Sequence, residues 1–291
     1  MRSATTKAVT MSAKELGIAL RGDAKTVVVE VDREQGEQGD PVEAVDSYGA
    51  GHIPGAHYVS FERDLVGPRS GTSGNSPLPD AGDLQERLRA WGVDDDSTVV
   101  VHTRRSPAVA TRAWWLLRWA GVENARYLNG GLAAWREIGG ALDVHVPPPA
   151  AGNAVVRPGS LPVLTAESAG RLAVAGHLVD ARAVAAYRGD PDVAGTGHIP
   201  GAHSVPGSAN FDGGELLEAG ALRALYAVHL DGREVGVYCG SGVSATTTVL
   251  ALASLGVEAA LYPGSWSAWI SDPTRPTTTG DRPGGDPTAR R

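Results

Sequence analysis

The chain of 291 residues holds a single cysteine, and its neighbours are the kind that chemistry at sulfur requires. In EVGVYCGSGVSATTTVLALASLG, residues 234–256, an apolar strand leads into Cys239. Gly240, Ser241 and Gly242 permit a tight turn, Val243 follows, and an apolar helix starts near Ser244. Backbone N–H groups of such a loop and of the first helical turn can converge on the sulfur, and the positive end of the helix favours its thiolate. Without a second cysteine there is no CxxC dithiol exchange, no Cys-rich zinc or iron–sulfur site and no intrachain disulfide. A cysteine phosphatase closes its phosphate-cradling loop with an arginine, and Gly240 to Ala245 contains none. The chemistry left is a sulfur that accepts another sulfur as a persulfide and passes it on, the loop N–H groups holding the charge through both halves of a ping-pong cycle. A buried strand-end cysteine beside an ordinary glycine turn is the competing structural reading.

The elements that must position this loop occur twice. GHIPGAH stands at Gly51 to His57 and again at Gly197 to His203. Each copy follows a short strand ending in an acid, Asp32 or Asp180. Each is followed by helix, strand, loop, helix and strand, so the chain reads as a tandem duplication. Alternating strands and helices indicate α/β domains with mostly parallel sheets covered by helices. In the first half the spacing predicts a helix from Asp83 to Gly92, a strand at Val99 to Val101, a helix from Ala108 and a strand at Ala125 to Leu128. In the second half it predicts a helix at Leu222 to Leu230, strands at Glu234 to Tyr238 and Ala259 to Tyr262, and a helix at Ser244 to Leu255. The expected organisation is a first domain over 10–142, a Pro- and Gly-rich linker over 143–162, a second domain over 163–280 and a frayed tail over 281–291.

Composition narrows the class. A chain with 42% hydrophobic and 20% charged residues should fold despite its 38 glycines and 19 prolines. A net charge of -7 disfavours nucleic acid as a general partner. The N-terminal stretch lacks the apolar run of an export signal, and no later run approaches the ~20 apolar residues of a membrane span, so a cytoplasmic protein is expected.

On GHIPGAH in both halves, CGSGVSA at 239–245 and GSWSAW at 264–269, the chain resembles the two-domain rhodanese family from TVVVEVD through DPTRPTTTG. The resemblance implies tandem α/β domains of common origin, each with a central sheet flanked by helices. It also implies an active cysteine in the second domain only, and transfer of sulfane sulfur through a Cys239 persulfide. The first-half counterpart of the cysteine loop is HTRRSPAVATRAWWLL. Aligned from its strand it puts Thr103 opposite Cys239, and aligned from its helix it puts Arg104 there; neither can carry a persulfide. His102, Arg104 and Arg105 either face a cleft or have structural and solvent-exposed roles.

Within the resemblance, the residues after cysteine divide the subfamilies. Thiosulfate-using members commonly have a CRKG-like loop, whereas mercaptopyruvate-using members look like CGSGVT. Here Gly240, Ser241, Gly242 and Val243 match the latter, and Ser244 replaces threonine while keeping a hydroxyl for a cap or loop hydrogen bond. The expected substrate-binding set is these five residues together with Arg188, which stands one residue after Tyr187, where the family often has arginine before the aromatic residue. The relay histidine of mercaptopyruvate members is replaced by Ser76, and Glu62 stands near the place of its aspartate, so that relay is not carried over. Neither metal nor cofactor is expected: His52, His57, His198 and His203 have no ligand cluster around them, and no nucleotide-binding signature is present. Asp180 and Arg182 form a candidate supporting ion pair, and Trp266 and Trp269 read as core or pocket-wall aromatics.

The expected activity is sulfur transfer from 3-mercaptopyruvate to cyanide, a small thiol or a protein thiol. Thiosulfate or broad donor use, and a noncatalytic tandem-domain binding protein, are the alternatives.

Overall fold

The computed structural model describes residues 8–34 and 44–285, which divide into two compact units. The first holds the described residues up to Val66, Pro79–Ser160 and Gly213–Leu216. Its elements are β1 (Thr10–Met11), α1 (Ala13–Ala19), β2 (Thr26–Asp32), α2 (Ala44–Gly49), β3 (His57–Ser60), α3 (Phe61–Asp64), α4 (Ala81–Ala90), β4 (Thr98–His102), α5 (Pro107–Trp119), β5 (Ala125–Leu128) and α6 (Gly131–Glu137). The strands form a parallel sheet in the order β1-β5-β4-β2-β3. Val27 to Val29 and Val99 to Val101 are buried on both faces, as β-branched residues of a helix-covered parallel sheet must be. The α4 helix starts before Asp83 because the Asp80 carboxylate caps it, accepting from the Gly82 and Asp83 N–H groups. Pro107, with its fixed φ, opens α5.

The second unit holds Gly67–Leu78, Leu161–Asp212 and the described residues from Leu217 onward. It contains α7 (Ala166–Ala175), β6 (His177–Asp180), α8 (Val184–Arg188), β7 (His203–Ser204), α9 (Ala219–Leu225), β8 (Val235–Tyr238), α10 (Ala245–Ser254), β9 (Ala259–Leu261) and α11 (Ser265–Trp269). Its sheet is also parallel, in the order β9-β8-β6-β7. The helix expected over 222–230 starts earlier and gives way to a 3-10 turn at Ala227–His229. Leu178, Ile199, Tyr238, Tyr262, Trp266 and Trp269 form one buried cluster, so both tryptophans are core residues.

Each GHIPGAH copy makes the same joint within its own unit. The backbone of His52 exchanges two hydrogen bonds with Asp143, as that of His198 does with Thr278. Each imidazole stacks on a tyrosine: His52 on Tyr48 with ring centroids 3.9 Å apart, His198 on Tyr187 at 3.7 Å. Nδ1 lies 3.1 Å from Tyr48 O in one copy and 2.8 Å from Tyr187 O in the other. The tyrosine hydroxyls close the motif by donating to Ala56 O and Ala202 O. Both histidines therefore serve local backbone and ring partners.

The ends of the expected domains are held more tightly than composition suggests. Within the expected linker, Gly152 N–H donates to Arg89 O and Arg157 N–H to Ala120 O, so the stretch up to Ser160 packs into the first unit. At the start of the expected tail, Pro283 O accepts from Gly201 N–H at 2.6 Å. Residues 286–291 lie outside the described residues.

Candidate active site

The β8 strand lies between β9 and β6, with Tyr238 opposite Asp180 and Val237 opposite Leu261, and it delivers Cys239 to the C-terminal edge of the sheet. Cys239 is 1% exposed. The following loop turns because Gly242 takes φ +76°, where a Cβ would lie 2.2 Å from Pro263 O. Ser241 is half-buried, and its hydroxyl makes no hydrogen bond among the described residues. Ser244 is already helical (φ -64°, ψ -22°), and its side chain makes no cap bond, so of the cap or loop hydrogen bond expected of its hydroxyl the cap is not formed. A cap acceptor needs an extended residue at that point.

The first turn of α11 anchors this loop from behind. Trp266 N–H donates to Cys239 O and Ser267 N–H to Gly240 O, both at 2.9 Å. In a planar trans peptide the N–H is antiparallel to the C=O. Holding those two carbonyls therefore aims the Gly240 and Ser241 N–H groups away from α11. Neither has a backbone or side-chain acceptor among the described residues, and the same is true of the Val243 and Ser244 N–H groups. A buried cysteine beside unsatisfied backbone donors, at the start of an apolar helix, is an arrangement for stabilising negative sulfur.

Ser265 is a direct contact of Cys239 that sequence reasoning missed. It is the single non-glycine residue with positive φ, +53°, among the described residues. Its Oγ accepts from Cys239 N–H at 3.0 Å, donates to Tyr262 O at 2.8 Å and lies 4.0 Å from Cys239 Sγ. Matched through strand register (Val101 opposite Tyr127, Val237 opposite Leu261), the corresponding residue of the first unit is Gly131, with φ +56°. The backbone is shared between the halves, and only the half with the cysteine places a hydroxyl on it.

Register also resolves the first-half alignment. Glu30 pairs with His102 as Asp180 pairs with Tyr238, so Thr103 is the counterpart of Cys239, and Arg104 that of Gly240. In the second unit Arg182 binds Asp180 through Nε at 3.0 Å and donates to Gly197 O at 2.6 Å, and its guanidinium lies 4.5 Å from the Trp266 ring centroid. The expected ion pair is thus formed, with an aromatic face over it. In the first unit Arg104 binds Glu30 and donates to Gly51 O at 2.5 Å. Arg104 is a structural residue here, and Arg105 is exposed.

The remaining site residues lie as follows. Arg188 ends α8, is half-exposed and pairs with Asp281. Ser76 is buried. Glu62 accepts from Arg33 at 3.0 Å and from Glu34 N–H at 3.2 Å. Among the described residues, no group of three or more His, Cys, Asp or Glu is placed to hold a metal ion, and no helix is long and apolar enough to cross a membrane.

Two parallel sheets, each covered by helices, with one cysteine at the edge of the second, define the class, and comparison with known proteins agrees. The rhodanese-like domain model matches residues 15–138 and 165–272. A putative thiosulfate sulfurtransferase of Mycobacterium tuberculosis, SseB, is 44% identical over 266 residues, covering 84% of this chain and 93% of SseB. A probable 3-mercaptopyruvate sulfurtransferase of Pseudomonas aeruginosa is 41% identical over 260 residues, covering 83% of this chain and 89% of that protein. The crystal structure of SseA, a 3-mercaptopyruvate sulfotransferase of Escherichia coli, superposes with a TM-score of 0.78 at 28% identity, covering 90% of this chain and all of SseA. The chain belongs to the rhodanese family, as a sulfurtransferase with two rhodanese-like domains.

Proposed function

We propose that the protein moves sulfur from 3-mercaptopyruvate to a thiophilic acceptor through a persulfide on Cys239. The observation that carries this reading is the uncharged Gly240-Ser241-Gly242 loop beside the buried Cys239, in which the Gly240 and Ser241 N–H groups have no acceptor among the described residues. In the first half-reaction the Cys239 thiolate attacks the donor sulfur. The S–S bond forms as the C–S bond breaks, and its electron pair leaves on carbon as pyruvate enolate, which takes the donor thiol's proton. In the second, a thiolate or cyanide attacks the outer sulfur, and the S–S electron pair returns to Cys239 as thiolate. Loop amides stabilise the outer sulfur in both directions.

Ser241, with a hydroxyl free of its own chain, would hydrogen-bond the donor carbonyl or sulfur. Arg188 reaching the donor carboxylate would have to give up Asp281; the pair is exposed, and such pairs contribute about 0–1 kcal/mol. Thiosulfate is the second reading, favoured by the name of the M. tuberculosis relative. An uncharged loop attracts that dianion less than one with adjacent basic residues would.

Equal amounts of protein offered each donor, with mass spectrometry of the Cys239 persulfide and steady-state kinetics, test the reading. The larger kcat/KM is expected with mercaptopyruvate, and a Ser241→Ala loss confined to that donor. A clear thiosulfate preference with an indifferent Ser241→Ala reverses the choice of donor. Cys239→Ser should stay folded and transfer no sulfur; turnover above background in that variant removes Cys239 from the chemistry.

A further inference from the structure

Residues 67–78 come from the first half of the sequence yet pack as part of the second unit. Gly67 N–H closes the base of the segment by donating to Pro77 O at 3.0 Å. Near its tip Gly74 has φ +78°, and a Cβ there would lie 2.5 Å from Gly264 O and 3.0 Å from Ser267 Oγ. Glycine alone combines that backbone with that approach. The next amide, Asn75 N–H, donates to Ser267 Oγ at 3.0 Å. Ser267 donates its hydroxyl to Gly264 O at 3.1 Å and its own N–H to Gly240 O at 2.9 Å. A continuous path of hydrogen bonds thus runs from the tip of the segment to the carbonyl whose peptide plane aims the Ser241 N–H.

We propose that Gly74, Asn75 and Ser267 form a clasp that orients the sulfur-carrying loop, making Ser267 a positioning residue for sulfur transfer and residues 67–78 a working part of the catalytic unit. This rests on Cys239 as the sulfur carrier. The clasp acts on the direction of a loop N–H that meets the charged outer sulfur, so its effect falls on the loading step and not on donor affinity. Ser267→Ala removes the acceptor of Asn75 N–H while leaving the backbone bond to Gly240, and Ser267→Thr restores a hydroxyl. Loss of one such hydrogen bond predicts a fall of about five-fold.

The test measures, on full-length protein, the kcat and KM of Cys239 persulfide formation from mercaptopyruvate, the rate of Cys239 alkylation by iodoacetamide without donor, and the melting temperature. Ser267→Ala should lower kcat and slow alkylation about five-fold, with KM and melting temperature near wild type, and Ser267→Thr should recover most of both rates. Gly74→Ala should act in the same direction. Wild-type rates in Ser267→Ala overturn the clasp, and so does a loss that follows the melting temperature and is not recovered by threonine. If wild-type protein takes no sulfur from mercaptopyruvate, the donor reading falls by itself. The alkylation comparison then decides the clasp alone: slowed in Ser267→Ala upholds it, unchanged overturns it.

Discussion

Ser265 shows how a single side chain separates two copies of one backbone. A left-handed conformation costs a serine about 1–2 kcal/mol, a cost its counterpart Gly131 does not bear. The hydroxyl offsets it by satisfying the buried Cys239 amide at 3.0 Å. Two substitutions separate the contributions. Ser265→Ala keeps the strain and leaves that amide without its acceptor, a loss of about 1–3 kcal/mol, so calorimetry should show a melting temperature several degrees lower. Ser265→Gly relieves the strain and should melt between alanine and wild type, yet load sulfur as poorly as alanine. Glycine and alanine variants of equal stability would show that no strain is stored there. Cys239 and its glycines were legible because their message is local: strand, turn and helix adjoin in the sequence. Ser265 was not, because its role depends on a φ sign and on a bond between residues 26 positions apart. Within GSWSAW the tryptophans carry the visible hydrophobic signal.

Loops inherited from one ancestor have become different devices in the two units. In the second, the Gly240, Ser241, Val243 and Ser244 amides have no acceptor among the described residues. In the first, the Arg105 amide is taken by Thr103 Oγ1 at 3.3 Å, and Pro107 at the helix start has no N–H to offer. Thr103→Cys in a Cys239→Ser background should therefore accept no sulfur above background, as read by mass spectrometry of the intact chain after exposure to donor. Rapid persulfidation at residue 103 would show that strand-end placement suffices without the amide cradle. Most strands and helices were legible from β-branched runs and apolar stripes, and their ends moved where a cap intervened, as Asp80 did for α4. Choosing between Thr103 and Arg104 needed inter-strand register, because the loops differ in how they enter their helices.

At the scale of the molecule, buried imidazoles set an acid limit. His229 is buried with neither ring nitrogen hydrogen-bonded, and the His177 and His203 rings lie 5.2 and 5.4 Å from it. Burial, then those neighbours, brings its pKa down to about 4. Burial, then Arg104, brings His102 down to about 3. Unfolded, both titrate near ~6.5, so below that pH the unfolded chain binds more protons. The stability they contribute is full above about 6.5 and is lost as pH falls toward the folded values. Buried Glu30 and Asp32, whose pKa values burial raises, have the opposite slope. Urea midpoints of wild type and His229→Gln should therefore diverge as pH rises from 4 to 6.5, wild type gaining more; parallel curves would remove His229 from the balance. The duplication itself was legible in the repeated heptapeptide. The membership of residues 67–78 in the second unit was not, since a segment without periodicity declares no destination until tertiary contacts choose one.

The exchanged arginines carry a historical consequence. Arg182 reaches its carboxylate from two residues further along the same strand exit, whereas Arg104 reaches Glu30 from the neighbouring loop, at the position of Gly240. Transplanting a Cys-Gly-Ser-Gly loop into the first unit would delete that guanidinium and strand Glu30 as a buried acid, unless Asp32, the counterpart of Arg182, became arginine in the same step. The two halves are thus separated by a ratchet: the loop change that would remove Arg104 from the first copy is harmful until Asp32 has become arginine.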